Sequence, residues 1–193
     1  MSKRKYSNLK KATRTRWRKK TEFIISKLDD TSTSSMDTLP EDPVKFCREW
    51  LRYNPFPYMI PFLRDQSHFI ANLQARQTGK TFNGMAKILH LALTYPNSTI
   101  IITAPKLDQV KNIAFKHLHD HLRRMKRAYP DLHKSVVQEK GLLKTIIRFK
   151  NGSQILAEAP VPGTIRGHTA KAVYLMECNF IRDDEDLYTA ILF

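Results

Sequence analysis

What this sequence has little of narrows it before any motif is read. It carries two cysteines in 193 residues, Cys47 and Cys178, far apart in a chain without an apolar signal segment. A structural disulfide is therefore not expected, and a reducing cytoplasmic setting is, the host-cell cytoplasm if the source is viral. No stretch approaches the roughly 20 apolar residues of a membrane span. Runs such as 99–104 are short and flanked by polar residues, so a soluble protein with no membrane partner is expected. Acids are scarce too: 18 Asp and Glu stand against 33 Lys and Arg, a formal charge of +15. That excess favours a polyanionic partner such as nucleic acid, although a basic, merely solvated surface has the same composition.

The length suits one globular domain with an appendage. Half of the first twenty residues are Lys or Arg and none is acidic, which cannot support a core; a mobile arm or a lone helix is expected there. Tyr6 and Trp17 sit among these cations, where an aromatic ring can stack on a base or simply belong to a solvated basic tract. Residues 29–42, rich in Ser, Thr, Asp and Pro, read as a linker, so that 1–42 form a basic arm and polar linker and 43–193 a compact domain.

Within that domain the elements alternate. A helix is expected over 43–53, with Asp42 as N-cap. A short strand follows at 69–73, then a helix over 80–93 whose Met85, Ile88, Leu89 and Leu93 share a face. Residues 99–104 read as a strand buried on both faces. A helix over 107–128 has Val110, Ala114, Leu118 and Leu122 at core spacing, with Ile113 and Met125 beside them. Residues 145–149 and 154–157, joined through Asn151-Gly152, predict a β-hairpin, and 172–176 another buried strand. This order predicts an α/β fold with a largely parallel sheet flanked by helices and a ligand crevice at the strands' carboxyl ends. No internal repeat is apparent.

The chemistry concentrates in Gln74-Ala75-Arg76-Gln77-Thr78-Gly79-Lys80-Thr81, between an expected strand and an expected helix. Its ending is that of a P-loop, although Gln74 stands where the usual pattern begins with Gly. Backbone amides at a helix N-terminus bind phosphate oxygens. There Lys80 places a point charge on the β and γ phosphates, and the Thr81 hydroxyl is suited to Mg²⁺. A second candidate is Glu177, which ends the apolar run 172–176; a carboxylate there can orient and deprotonate a water attacking a γ-phosphate, or be an ordinary strand-end acid.

Arg76-Gln77-Thr78-Gly79-Lys80-Thr81 resembles the deviant P-loop of terminase large subunits, the packaging ATPases of tailed bacteriophages and herpesviruses. Three further segments agree in order: 100–105 with Gln109, Asn151-Gly152-Ser153 with Arg166-Gly167, and Glu177-Cys178-Asn179-Phe180-Ile181. The resemblance covers about residues 55–190. It implies a P-loop NTPase fold and an ATP-hydrolysing motor that translocates double-stranded DNA, with ATP and Mg²⁺ bound along 74–81. It further implies a homo-oligomeric ring acting with a portal and a small terminase subunit. Arg76 becomes the arginine that stabilises charge on the transferred phosphoryl, or a structural cation of the loop; Glu177 becomes the catalytic glutamate. Arg166 is a switch residue or a turn-stabilising cation.

The departures carry information as well. Met176 stands where the family has Asp, and a thioether does not serve a hard magnesium ion. Pro57-Tyr58-Met59 replaces the segment whose glutamine reads adenine in the family; Gln66 is nearby but out of place. The run Asp183, Asp184, Glu185, Asp186 reads as a solvated turn or helix start rather than a metal site. No nuclease-type set of acids lies in the sequence, so the ATPase domain is expected to be incomplete at its carboxyl end and not to cut DNA by itself. Two other readings stand beside the motor: a degenerate P-loop module that binds DNA with little ATP turnover, and a helicase or other P-loop ATPase.

Overall fold

A computed structural model describes residues 38–181 and 184–192. The basic arm, with Tyr6 and Trp17, and most of the linker lie outside them, as does Asp183. Residues 39–193 group as one unit.

The centre of the fold is strand β1 (Thr99–Thr103), in a five-stranded sheet of order β2-β3-β4-β1-β5. Its neighbours β4 (Gln154–Glu158) and β5 (Ala170–Leu175) run parallel to it, Thr103 pairing with Glu158 on one side and Leu175 on the other. Strands β2 (Val137–Leu142) and β3 (Ile146–Phe149) extend the sheet antiparallel. The sheet is thus mixed rather than largely parallel. The cause is local: the Asn151-Gly152 turn folds β3 back on β4, and Gly152 takes φ +83°, open to glycine at little cost. The same turn ends a helix, because Asn151 Nδ2 and Ser153 Oγ donate to the Ala92 carbonyl at 2.9 and 2.6 Å.

That helix, α3 (Lys80–Thr94), lies on one face of the sheet. Met85, Leu89 and Ala92 are fully buried with Ile100 and Ile102 of β1, while Ile101 turns to a second cluster with Ile165, Ile181 and Leu187. Period-two alternation in β1 thus supplies both cores, each buried aliphatic side chain contributing about 1.5–3 kcal/mol. Helix α1 (Pro43–Glu49), capped by Asp42, adds Phe46 and Cys47 to the main core. It ends before residue 53, and Arg52 then takes a left-handed φ of 53°. A 3₁₀ turn (Pro57–Met59) leads into α2 (Ile60–Arg64).

The helical run after β1 is α4 (Leu107–Gln109), a π-helical turn (Val110–Ala114) and α5 (Phe115–Ala128). Val110, Ala114, Leu118, Leu122 and Met125 are buried as their spacing predicts, but Ile113 is exposed. Helices α6 (Pro130–Val136), α7 (Pro162–Arg166) and α8 (Asp184–Leu192) complete the chain. Asp184, Glu185 and Asp186 of the acidic run therefore open a helix, where acids complement the dipole.

Two expected strands are corrected. Residues 69–73 form no strand, and Phe69 and Leu73 are exposed; an apolar run becomes a strand only where a sheet edge receives its backbone. Residues 172–175 lie in β5, the sheet's edge, and are half-buried rather than enclosed; Met176 follows the strand and is buried. No described helix is long and apolar enough to cross a membrane.

Candidate functional site

The site lies where α3 begins and where β1 and β5 end. Residues 74–79 form an irregular loop closed by two left-handed residues, Gln77 (φ 64°) and Gly79 (φ 83°). Gly79 is the N-cap of α3. Backbone of this kind at a helix start forms anion-binding concavities. Thr78 Oγ1 lies 2.9 Å from the Ala75 carbonyl and 3.1 Å from Gln74 Oε1, and Lys80 Nζ donates to the Gln74 carbonyl at 3.3 Å.

Outside contacts brace the loop. The Gly79 carbonyl accepts from both the backbone and the side chain of Asn83, at 3.0 and 2.9 Å. Asn83 is buried, and its Oδ1 accepts from Tyr53 Oη at 3.3 Å, which in turn accepts from the Cys47 thiol at 3.1 Å. Burial pushes the Cys47 thiol up to about 12 and raises Tyr53 far above the ordinary phenol value, so both stay neutral donors. On the other side Tyr58 Oη donates to the Thr78 carbonyl at 2.9 Å, and Gln74 Nε2 lies 3.1 Å from Met59 Sδ. His121, fully buried beside Phe82, has its pKa pushed down to about 3 by desolvation, and its Nε2 lies 2.9 Å from the Phe82 carbonyl.

The acid side is built differently. The Met176 amide donates to the Thr103 carbonyl at 2.8 Å, which ends β5 level with β1. The next residue, Glu177, is exposed and takes φ 51°. A left-handed non-glycine residue costs of order 1–3 kcal/mol and persists only where its surroundings hold it. One such hold is Gln109: its Nε2 donates to Glu177 Oε2 at 3.1 Å, while its Oε1 accepts from the Lys106 amide at 3.2 Å. The second bond fixes which end of the amide faces Glu177.

Glu177, Gln109, Lys106 and Arg76 line one cleft of about 700 Å³, walled also by Pro105, Pro160, Phe180 and Ile181. The structure thus brings Arg76 of the loop to the same cleft as Glu177, whereas Lys80 does not line it. Arg166 also stands apart, exposed as the last residue of α7, where a cation complements the helix C-terminus. Among the described residues no group of three or more His, Cys, Asp or Glu could hold a metal. The Met176 side chain is buried in the main core and offers the cleft no oxygen.

The sequence reading missed Gln109 as a partner of Glu177, and Tyr58 and Asn83 as braces of the loop. Asn83 carried a signal, since four residues after Gly79 on a helix its side chain meets that carbonyl. Gln109 did too, lying three residues after the N-cap Lys106, as a capping-box residue does.

No curated protein sequence matches the chain. The family described as terminase large subunit, T4likevirus-type, N-terminal, matches residues 72–191, which span the loop, β1, the hairpin and Glu177. On that match over more than half its length, the chain belongs to the terminase large subunit family through that family's N-terminal region.

Proposed function

We propose that the chain is the nucleotide-hydrolysing motor region of a DNA-packaging terminase, with a P-loop NTPase fold whose site lies between residues 74–81 and Glu177. The observation that carries this reading is the shared cleft: Arg76 of the 74–79 loop and the strand-end carboxylate Glu177 line one cavity. Phosphoryl transfer needs this arrangement, because its catalysis is mostly positioning and charge stabilisation. The loop amides and Lys80 hold the β and γ phosphates of ATP, Arg76 neutralises charge on the transferred phosphoryl, and Glu177 orients the attacking water and accepts its proton. Gln109 keeps the Glu177 carboxylate directed into the cleft.

The donor set fits a magnesium ion carried mainly by the nucleotide. Thr81, at the first turn of α3, would hold the ion through its hydroxyl, with the nucleotide supplying the rest. When bound, the ion would supply positive charge that offsets the negative charge of the phosphates. Double-stranded DNA is the polymer moved, and a ring of copies on a portal, with a small terminase subunit, is the setting in which the motor acts. The test is ATP-dependent phosphate release, expected to collapse in Lys80→Ala and in Glu177→Gln proteins. Robust turnover surviving both changes contradicts the proposal.

The buried Met176 favours a second reading, a module that binds nucleotide and DNA but hydrolyses ATP poorly. Met176→Asp separates the two. Faster phosphate release points to the motor; no gain, with tight ATP-independent DNA binding by the unmodified protein, points to the module.

A further inference from the structure

The cleft holds opposite charges that have not neutralised one another. Arg76 and Lys106 bring two cations to it and Glu177 one carboxylate. Opposite charges sharing a cavity gain by closing into an ion pair. Yet among the described residues neither cation forms one, and Glu177 is bonded instead to the neutral amide of Gln109 at 3.1 Å. Gln109 also holds the backbone of Lys106: its Oε1 accepts from the Lys106 amide at 3.2 Å, and its own amide donates to the Lys106 carbonyl at 2.9 Å. The carboxylate is thereby satisfied by a neutral donor, while the lysine is anchored beside it with its side chain exposed. Lys80 does not line the cleft, and its amine is 3.3 Å from the Gln74 carbonyl. The positive charge open to an anion in the cleft therefore comes from Arg76, on the loop before α3, and Lys106, on the turn after β1.

Resting on the nucleotide reading of the loop, we infer that Lys106 is a further residue of the hydrolytic site: with Arg76 it holds the γ-phosphoryl and, after cleavage, the inorganic phosphate. Water attacking the γ-phosphorus forms one P–O bond as the bond to the β–γ bridging oxygen breaks. The electron pair leaves with ADP, and the water's proton passes to Glu177. Protonation leaves Glu177 neutral, which removes the one charge lining the cleft that would repel the freed phosphate. That ion presents oxygens in every direction, and an ammonium on a flexible stem can follow it as it leaves, whereas a planar guanidinium grips in one orientation. An ion pair between Lys106 and Glu177 would cancel the charge this role needs, and the bonds to Gln109 leave that charge available.

Calorimetric titration of inorganic phosphate into the whole chain, saturated with ADP and magnesium, tests this without requiring turnover. The ADP-loaded protein should bind phosphate. Lys106→Met, which keeps most of the side chain's length and removes its charge, should weaken that binding at least about fivefold and leave ADP affinity within about twofold. Its melting temperature should be unchanged, since the side chain is exposed. Lys106→Arg, which keeps the charge, should retain phosphate affinity within about threefold of the unmodified protein. In steady-state hydrolysis Lys106→Met should lower kcat about tenfold with KM for ATP within about threefold, a split that a merely structural lysine would not produce. Phosphate that binds Lys106→Met as tightly as the unmodified protein, or does not bind the ADP-loaded protein at all, overturns the inference and leaves the loop's role standing. ADP that binds Lys80→Ala as well as the unmodified protein instead overturns the loop reading and this inference with it.

Discussion

The two walls of the site are made to different standards of rigidity. The loop wall is held from three directions: Asn83 grips the Gly79 carbonyl, Tyr58 the Thr78 carbonyl, and Met59 the Gln74 amide. It opens a helix whose Met85 and Leu89 are fully buried. The acid wall is the end of an edge strand, with Glu177 exposed on a left-handed backbone and bonded to Gln109. Under the proposed function, the loop wall would grip phosphates and gain from being preformed, since ordering it at binding costs affinity. A carboxylate that must meet a water gains from adjustment, and single-sided support leaves it that freedom.

Among the supporting residues, cutting a brace of the rigid wall should have the largest effect. Asn83→Leu removes the side-chain bond to Gly79 and leaves the buried Tyr53 hydroxyl without its acceptor. It should cost about 1–3 kcal/mol and raise the KM for ATP more than tenfold while changing kcat less, as denaturant melts and steady-state kinetics would show. Gly84→Ala comes next. A methyl at Gly84 runs into the hydroxyl and ring of Tyr174 on β5. Overpacking of this kind costs roughly 1–3 kcal/mol, read as a lower melting temperature, with partial recovery in a Gly84→Ala, Tyr174→Leu double variant.

The flexible wall should respond more mildly. Gln109→Ala frees Glu177 without touching the loop, so kcat should fall about fivefold with KM unchanged, roughly 1 kcal/mol of transition-state stabilisation. A fall in nucleotide affinity instead would mean that the two walls are not separate. A further effect is on pH dependence. His121 stays neutral in the fold with its pKa depressed to about 3, while the unfolded chain takes up a proton near 6.5. Its stability contribution is therefore complete above pH 6.5 and is lost progressively as pH falls toward 3. His90, His117 and His133, also lowered by desolvation, act in the same direction. Melting temperature should drop between pH 7 and 4, and the drop should be shallower in His121→Gln.

The same contrast explains what could be read from the residues alone. Helix α3, strand β1 and the hairpin follow from periodicity and from Asn151-Gly152, because their side chains meet a core directly. The ending Gly79-Lys80-Thr81 and the acid Glu177 stood out as candidates because phosphate chemistry would demand those residue types at a helix start and a strand end. The segment 69–73 misled because its apolar residues resemble a strand while no sheet edge receives them. Gln109 could be read locally as a capping residue, but its reach to Glu177 across 68 residues, like that of Tyr58 to Thr78 across 20, leaves no trace in a local pattern. Met176 could be seen to lack a metal-binding oxygen, but its burial could not.

The division of labour between the walls is tested most directly by measuring ATP binding and phosphate release together in Glu177→Gln and Lys80→Ala proteins. Glu177→Gln should bind ATP within about threefold of the unmodified protein and lose at least about a hundredfold in phosphate release, whereas Lys80→Ala should lose both. Glu177→Gln losing affinity as severely as Lys80→Ala, or retaining turnover, would contradict the account.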